Sequence, residues 1–357
     1  MISAASVRNF LMGLAVVGLG SGCGVRYVAA SASYELELLT KAEPVAVSLA
    51  SGRLSAGQEQ RLRLFAEVKA FGATLGLHAT RNYSTYSRTW DRRIWNLSAC
   101  PPLSFASRTW SFPIVGRVPY LGFFSDMDVA VERSKLEGEG YEVAVREVGA
   151  FSTLGWFRDP ILPTMLTWDE ARIAETVSHE LAHATLWIPG SVDFNESFAS
   201  VVGETAGDRY LVHKYGEGSE PVRDARDRDH DWRIFQTLLL GLYEDLDVLY
   251  RDPLLPDAER LARKAALYGS LPDRVLASEI RQPARWARYA KDRPWNNASL
   301  AQLRTYNRGD DDFAALLRHC AGELRRFIPA VRAITHGARD PFAALQAAAG
   351  TTACPAN

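Results

Sequence analysis

The sequence predicts a mostly helical α+β fold with one small mixed or antiparallel sheet. Apolar residues recur at three- and four-residue spacings around 55–76 and through most of the chain after 158, which is the helical period. Between 94 and 157 the pattern changes to short apolar pieces, alternating or broken by prolines, which indicates strands and turns. With 357 residues, 47% of them hydrophobic, the chain can bury a large core in one big domain or two closely joined ones. Its 41 basic and 42 acidic residues leave a formal charge of −1, so nothing points to nucleic acid or to a generic anionic membrane surface.

In chain order, Arg8 precedes an apolar run from Phe10 to Leu19, followed by Gly20, Ser21, Gly22 and Cys23. This is a secretory signal layout over 1–22, and roughly ten apolar residues are too few to span a bilayer. The ending resembles a bacterial lipoprotein signal, in which Cys23 becomes a lipidated N-terminus, although Leu19 sits one position further from the cysteine than usual. Gly24 is not aspartate, which by the same resemblance favours the outer over the inner membrane. Three other cysteines remain, Cys100, Cys320 and Cys354; an oxidising compartment permits a disulfide, with Cys320 and Cys354 the favoured pair.

Helices are expected over about 33–50, with Leu36, Leu38 and Leu39 ahead of Pro44, and over 55–76, with Leu62, Phe65, Val68, Phe71 and Leu75. A polar aromatic loop at 77–88 leads into the sheet region. That region holds a short helix at 126–136 and an alternating stretch from Tyr141 to about Phe151. Helices follow over 168–188 and 194–215, then a charged connector, "EPVRDARDRDHDW", that reads as a solvated turn or helix start and not as a binding patch. A long amphipathic helix carries Phe235, Leu238, Leu239, Leu242, Leu246 and Leu249. Further helices are expected at 257–268, at 275–290, and from 312 to just before Pro329; the alanine-rich tail after 340 reads as loosely held.

The chemistry concentrates in "VSHELAHATLWIPGSVDFNESFAS", 177–200. Thr167 and Glu170 form a capping-box pattern, and Ile173, Val177 and Leu181 give the helix a buried stripe. His179 and His183, four apart, share one helix face. This is the His-Glu-x-x-His spacing of a zinc-binding helix, with Glu180 beside the first ligand and placed to act as a general base. A catalytic zinc takes three protein ligands and keeps a position open. Pro189-Gly190 is expected to stop the helix, so that a second, antiparallel one aims Glu196 back at the imidazoles as the third ligand. Ser200, Gly203 and Gly207 would let the two helices pack closely. Glu204, two turns after Glu196, would accept an N–H from a ligand histidine, or else form a buried salt bridge.

"NYSTY" at 82–86, "WSFPIVGRVPYLGFF" at 110–124, "FSTLGWFRDPIL" at 151–162, "HELAHATLW" at 179–187 and "FNESFAS" at 194–200 give the chain a wider resemblance. Together they resemble the bacterial family of zinc lipoproteins known as putative aminopeptidases, whose active-site layout is similar to the thermolysin-like gluzincins. The resemblance covers nearly the whole chain after the signal. It implies a thermolysin-like metallopeptidase core whose sheet packs beside the His-Glu-x-x-His helix, one zinc ion on His179, His183 and Glu196, and Glu180 as base. It also implies a peptide substrate and a single metallopeptidase domain over 23–357, divided into a helical part at 33–93, a sheet part at 94–157 and a zinc-bearing helical part at 158–335. Cysteines commonly sit in that family where Ser111 and Arg117 stand here, so a paired crosslink is lost.

The expected reaction is amide hydrolysis in the cell envelope, with Glu180 taking a water proton and delivering it to the leaving amine. By resemblance to gluzincins, an edge strand over 150–157 lines the substrate through Ser152, Thr153, Leu154, Gly155 and Trp156; the bland alternative is a core strand with Trp156 buried. An oxyanion stabiliser is also required, with Tyr306 as first candidate and Tyr86 and His230 behind it. For the α-amine anchor of an exopeptidase, Asp193, Glu204 and Asp159 are near in sequence, and none is singled out. An envelope endopeptidase and a structural lipoprotein stapled by zinc remain alternatives, and no obligate protein partner is evident.

Overall fold

Apolar periodicity becomes three packed regions in the computed structural model, which describes residues 33–34, 36–88, 90, 92–112, 116–148, 159–306, 310–348 and 354. Residues 36–40 are helical; the helix expected over 33–50 then breaks, because Pro44 ends a two-residue strand, β1 (Glu43–Pro44), before α1 (Val45–Ala50). α2 (Ala56–Thr74) opens on a full Ser55/Gln58 capping box and buries Leu62, Phe65 and Val68. β1 pairs antiparallel with β2 (Thr85–Tyr86).

The central sheet is antiparallel, in the order β6–β3–β7. β3 (Ile94–Cys100) lies between β6 (Leu121–Phe123) and β7 (Glu142–Val148). A separate hairpin of β4 (Trp110–Phe112) and β5 (Gly116–Val118) sets Ser111 directly across from Arg117. The sheet buries Leu97, Leu121 and Val143 with Val129 and Leu136 of α3 (Asp126–Gly138). Its principal helical partners are α3 and α10 (Asn297–Tyr306), while Ile94 and Val148 at one end of the sheet join the core that holds the His-Glu-x-x-His helix.

After the 3₁₀ turn Pro163–Thr167, α4 (Glu170–Thr185) and α5 (Val192–Tyr215) form the most extensively packed helix pair, in the largest core. The charged connector is the first third of α6 (Glu220–Arg251), whose apolar second half packs with α8 (Leu271–Leu276), α9 (Pro283–Asp292) and α10. α7 (Asp257–Gly269) lies between them in sequence. The single helix expected at 275–290 is two helices, because the buried Asp231 carboxylate accepts the Arg281 N–H at 2.8 Å and the Gln282 N–H at 3.2 Å ahead of Pro283.

The helix expected from 312 to Pro329 is also two, α11 (Asp310–His319) and α12 (Leu324–Thr335), parted at Ala321 and Gly322, both with positive φ. Pro329 sits inside α12. It removes one backbone donor, but burial of Phe327, Ile328 and Val331 keeps the helix together. The tail is not loose either. α13 (Pro341–Ala348) buries Leu345 and sets Phe342 against Phe194 at 5.1 Å, and Cys354 is disulfide-bonded to Cys320, with Cα atoms 5.2 Å apart. No helix among the described residues is long and apolar enough to cross a membrane.

Candidate metal centre and cleft

α4 is capped by Asp169, whose Oδ1 accepts the Arg172 N–H at 2.8 Å. Thr167, the expected cap, belongs to the 3₁₀ turn and donates its hydroxyl to the Thr164 carbonyl at 2.7 Å. The carboxylate is the better cap, because it also meets the positive end of the helix. The far end of α4 comes at Thr185, before Pro189. The Thr185 carbonyl accepts from Arg332 at 2.7 Å, its hydroxyl accepts the His78 N–H at 2.8 Å, and Leu186 is already extended. Gly190, with φ of +80°, completes the reversal into α5.

Close approach of the two helices depends on glycine. A Cβ on Gly203 would lie 3.0 Å from both the Glu175 carbonyl oxygen and His179 Cβ, and one on Gly207 would lie 3.2 Å from Glu175 Cα. At that spacing Glu196 faces the two histidines. His179 Nε2 and His183 Nε2 are 3.1 Å apart, and the Glu196 carboxylate oxygens lie 3.6 Å from the first and 3.7 Å from the second. A tetrahedral zinc with bonds of about 2.0–2.2 Å sets its ligand atoms roughly 3.3–3.5 Å apart, so the donor set fits such an ion in both chemistry and spacing. Among the described residues this is the group of three that can hold a metal.

Protonation within the trio is divided. Burial, then the charge of His179, pushes His183 down to about 4, so this ring is neutral near pH 7. Burial also opposes a proton on His179, but the hydrogen bond to Glu196 and the charges of Glu180, Glu196 and Glu175 outweigh it, and its pKa is raised. Burial would raise Glu196, yet the hydrogen bond from His179 and both imidazole charges hold it low.

His179 opens into a cavity of about 950 Å³ between α4, α5 and α6. Glu175, one turn before His179, lines it with Glu204, Asp229 and His230. Burial and then the negative charges of Glu204 and Asp229 push Glu175 up to about 7, although the residue as a whole is exposed. Through Glu175, Asp229 and Trp232 this cavity joins a second of about 990 Å³, and through Trp232, Arg146 and Tyr289 a third of about 660 Å³ along β7. The result is one groove, walled on one side by the charged segment of α6 that the sequence reads as merely solvated.

The family described as "putative aminopeptidase" matches residues 26–341. The chain belongs to this family. Comparison with curated proteins and with solved structures gives no significant match. Membership supports peptidase-like enzymatic character, and the His-His-Glu cluster accords with it.

The other expected residues of this family member distribute unevenly. Glu204 lies on the cleft wall, 3.4 Å from Arg233, in an exposed ion pair and not the buried one expected, its side chain being 42% exposed. His230 lines the same cavity as His179. Tyr86 is buried in the core, and Asp159 is buried and bonded to Asn82, so neither faces the cleft. Asp193 is in the first turn of α5. Cys23, the segment Ser152 to Trp156, and the side chain of Tyr306 lie outside the described residues. Glu175, Asp229 and Trp232 were missed. Glu175 has a sequence signal, since it stands four residues before His179; Asp229 and Trp232, on another helix, have none.

Proposed function

We propose that this protein is a zinc-dependent peptidase of the aminopeptidase type, acting in the bacterial cell envelope as a lipoprotein anchored through Cys23, on the outer membrane. The observation that carries the chemistry is the convergence of His179, His183 and Glu196, with His179 lining an open cavity and Glu180 next in sequence to that histidine. A zinc ion held by these three would supply Lewis acidity to a carbonyl. Glu180 takes the proton of the attacking water and returns it to the departing amine. His230 and Tyr306 are the candidates for a donor to the developing oxyanion, and 150–157 for a strand along the substrate.

Crowded acids favour a free amino terminus. Glu175, Glu204 and Asp229 line the cavity beside His179, and burial, with neighbouring carboxylate charge as a smaller contribution, raises the pKa of Glu175 and Glu204. A substrate ammonium would relieve that repulsion. The continuation of the groove along β7 favours a second reading, an endopeptidase that takes longer chains. The open groove also argues against a purely structural zinc. Metal analysis, followed by cleavage assays on free and N-terminally blocked peptides with and without chelator, tests these readings. Cleavage of free amino termini alone supports the aminopeptidase, cleavage of blocked peptides the endopeptidase, and stoichiometric zinc with no turnover the staple.

A further inference from the structure

The groove changes sign along its length. In the cavity lined by His179, Arg226 is held by Asp208 and Glu217, and Arg233 lies 3.4 Å from Glu204. Arg209 is turned to the Gly322 carbonyl at 2.7 Å. Against it stand Glu175, Asp229 and Asp311, which form no salt bridge among the described residues. The balance there is negative.

The third cavity, of about 660 Å³ along β7, has the opposite balance. Arg133 and Glu137 bond each other at 2.7 Å, and Glu142 is taken by the buried Lys264. The remaining charged residues of its lining, Arg146 and Arg293, are both cationic.

Arg293, just past α9, is held in place. Its guanidinium carbon lies 5.3 Å from the Tyr289 ring centre and 5.5 Å from that of Trp295, and its Nη1 donates to the Tyr289 hydroxyl. Both rings in turn pack on the buried Phe235, at 5.6 and 5.8 Å. Among the described residues Arg293 has no carboxylate partner. A guanidinium carries five N–H donors, so one docked on rings keeps a fork for two carboxylate oxygens. Packing accounts for the contact with the rings. It does not account for an uncompensated cation in a cavity whose other acids are matched.

We propose that Arg293 receives the C-terminal carboxylate of short peptides, whose ammonium end lies among the acids beside His179. This rests on the aminopeptidase reading and names its substrate class: oligopeptides with both termini free. Trp295 and Tyr289, which line the same cavity, offer apolar surface to the last side chain. Opposite fields at the two ends would also fix the direction in which such a peptide enters.

The test uses alanine peptides of three, four and five residues, each as free acid and as C-terminal amide, with the zinc-loaded protein. For the wild type, amidation should raise KM at least fivefold at one or more lengths, with kcat within twofold. In Arg293→Gln the acid should have the KM of the amide. Equal KM for acid and amide at every length, or an acid preference that survives Arg293→Gln, overturns the proposal. Calorimetric titration of the same peptides into zinc-loaded Glu180→Gln protein gives a reading that needs no turnover: tighter binding of the acid is expected, and equal binding or none overturns the proposal. Should the wild type cleave no peptide, the peptidase reading fails by itself, and the titration still decides whether the groove selects a free carboxylate.

Discussion

The carboxamide of Asn195 bonds both backbone polar groups of Ile188, accepting from its N–H and donating to its carbonyl, each at 2.8 Å. One side chain thus fixes the link between the two helices that carry the candidate metal ligands, and the next residue is Glu196. Asn195→Ala should cost about 1–2 kcal/mol, because it strands two partly buried backbone groups, and should weaken zinc binding as well. Urea midpoints and zinc titration read both effects; an unchanged zinc affinity would show that the link does not place Glu196.

Gly203 is a second control on the same geometry. In Gly203→Ala, the new Cβ meets α4 backbone and His179 at 3.0 Å, so the helices must separate, at about 1–3 kcal/mol. Stability and zinc affinity should fall together. A variant as stable as wild type, with full affinity, contradicts the tight packing described above.

Glu180→Gln separates binding from turnover. Zinc content should persist, since the ligands are untouched, while hydrolysis falls by roughly 10²–10⁴. Peptide turnover at the wild-type rate would remove Glu180 from its role.

Acidity should weaken the metal-free protein through His183. Its folded pKa of about 4 lies below the ordinary 6.5, so the unfolded chain binds more protons between those values and stability drops as pH falls from 6.5 towards 4. The loss is on the order of 3 kcal/mol. His179 acts with the opposite sign and in a higher window, because its raised pKa makes its contribution fade as pH rises through it. Urea midpoints from pH 4 to 7 for wild type and His183→Asn check this. An equal slope in both proteins would assign the effect to other groups.

Ser111 and Arg117 are cross-strand partners, the positions at which the resemblance implies a crosslink elsewhere in the family. Ser111→Cys with Arg117→Cys should therefore oxidise within the chain and add about 2 kcal/mol. Thiol counts that stay unchanged after oxidation would mean that the two side chains do not face each other.

The cluster of candidate metal ligands was legible in the sequence because the signal is local. Two histidines four apart share a helix face, and a turn of few residues brings Glu196 back. The groove was not. Asp229 and Trp232 reach it from α6, inside a charge run that composition alone assigns to solvent. Helix ends were misplaced where a tertiary partner decides them: Arg332 at Thr185, Asp231 ahead of Pro283. The alanine-rich tail misled because two residues, Phe342 and Leu345, hold it.

The bond between Cys320 and Cys354 ties the end of the chain to the core, and the helix just before it rests on Phe194, two residues from Glu196. Thiol oxidation is thus linked mechanically to the floor beneath the carboxylate ligand. A chain held in a reducing compartment would carry that floor unfastened.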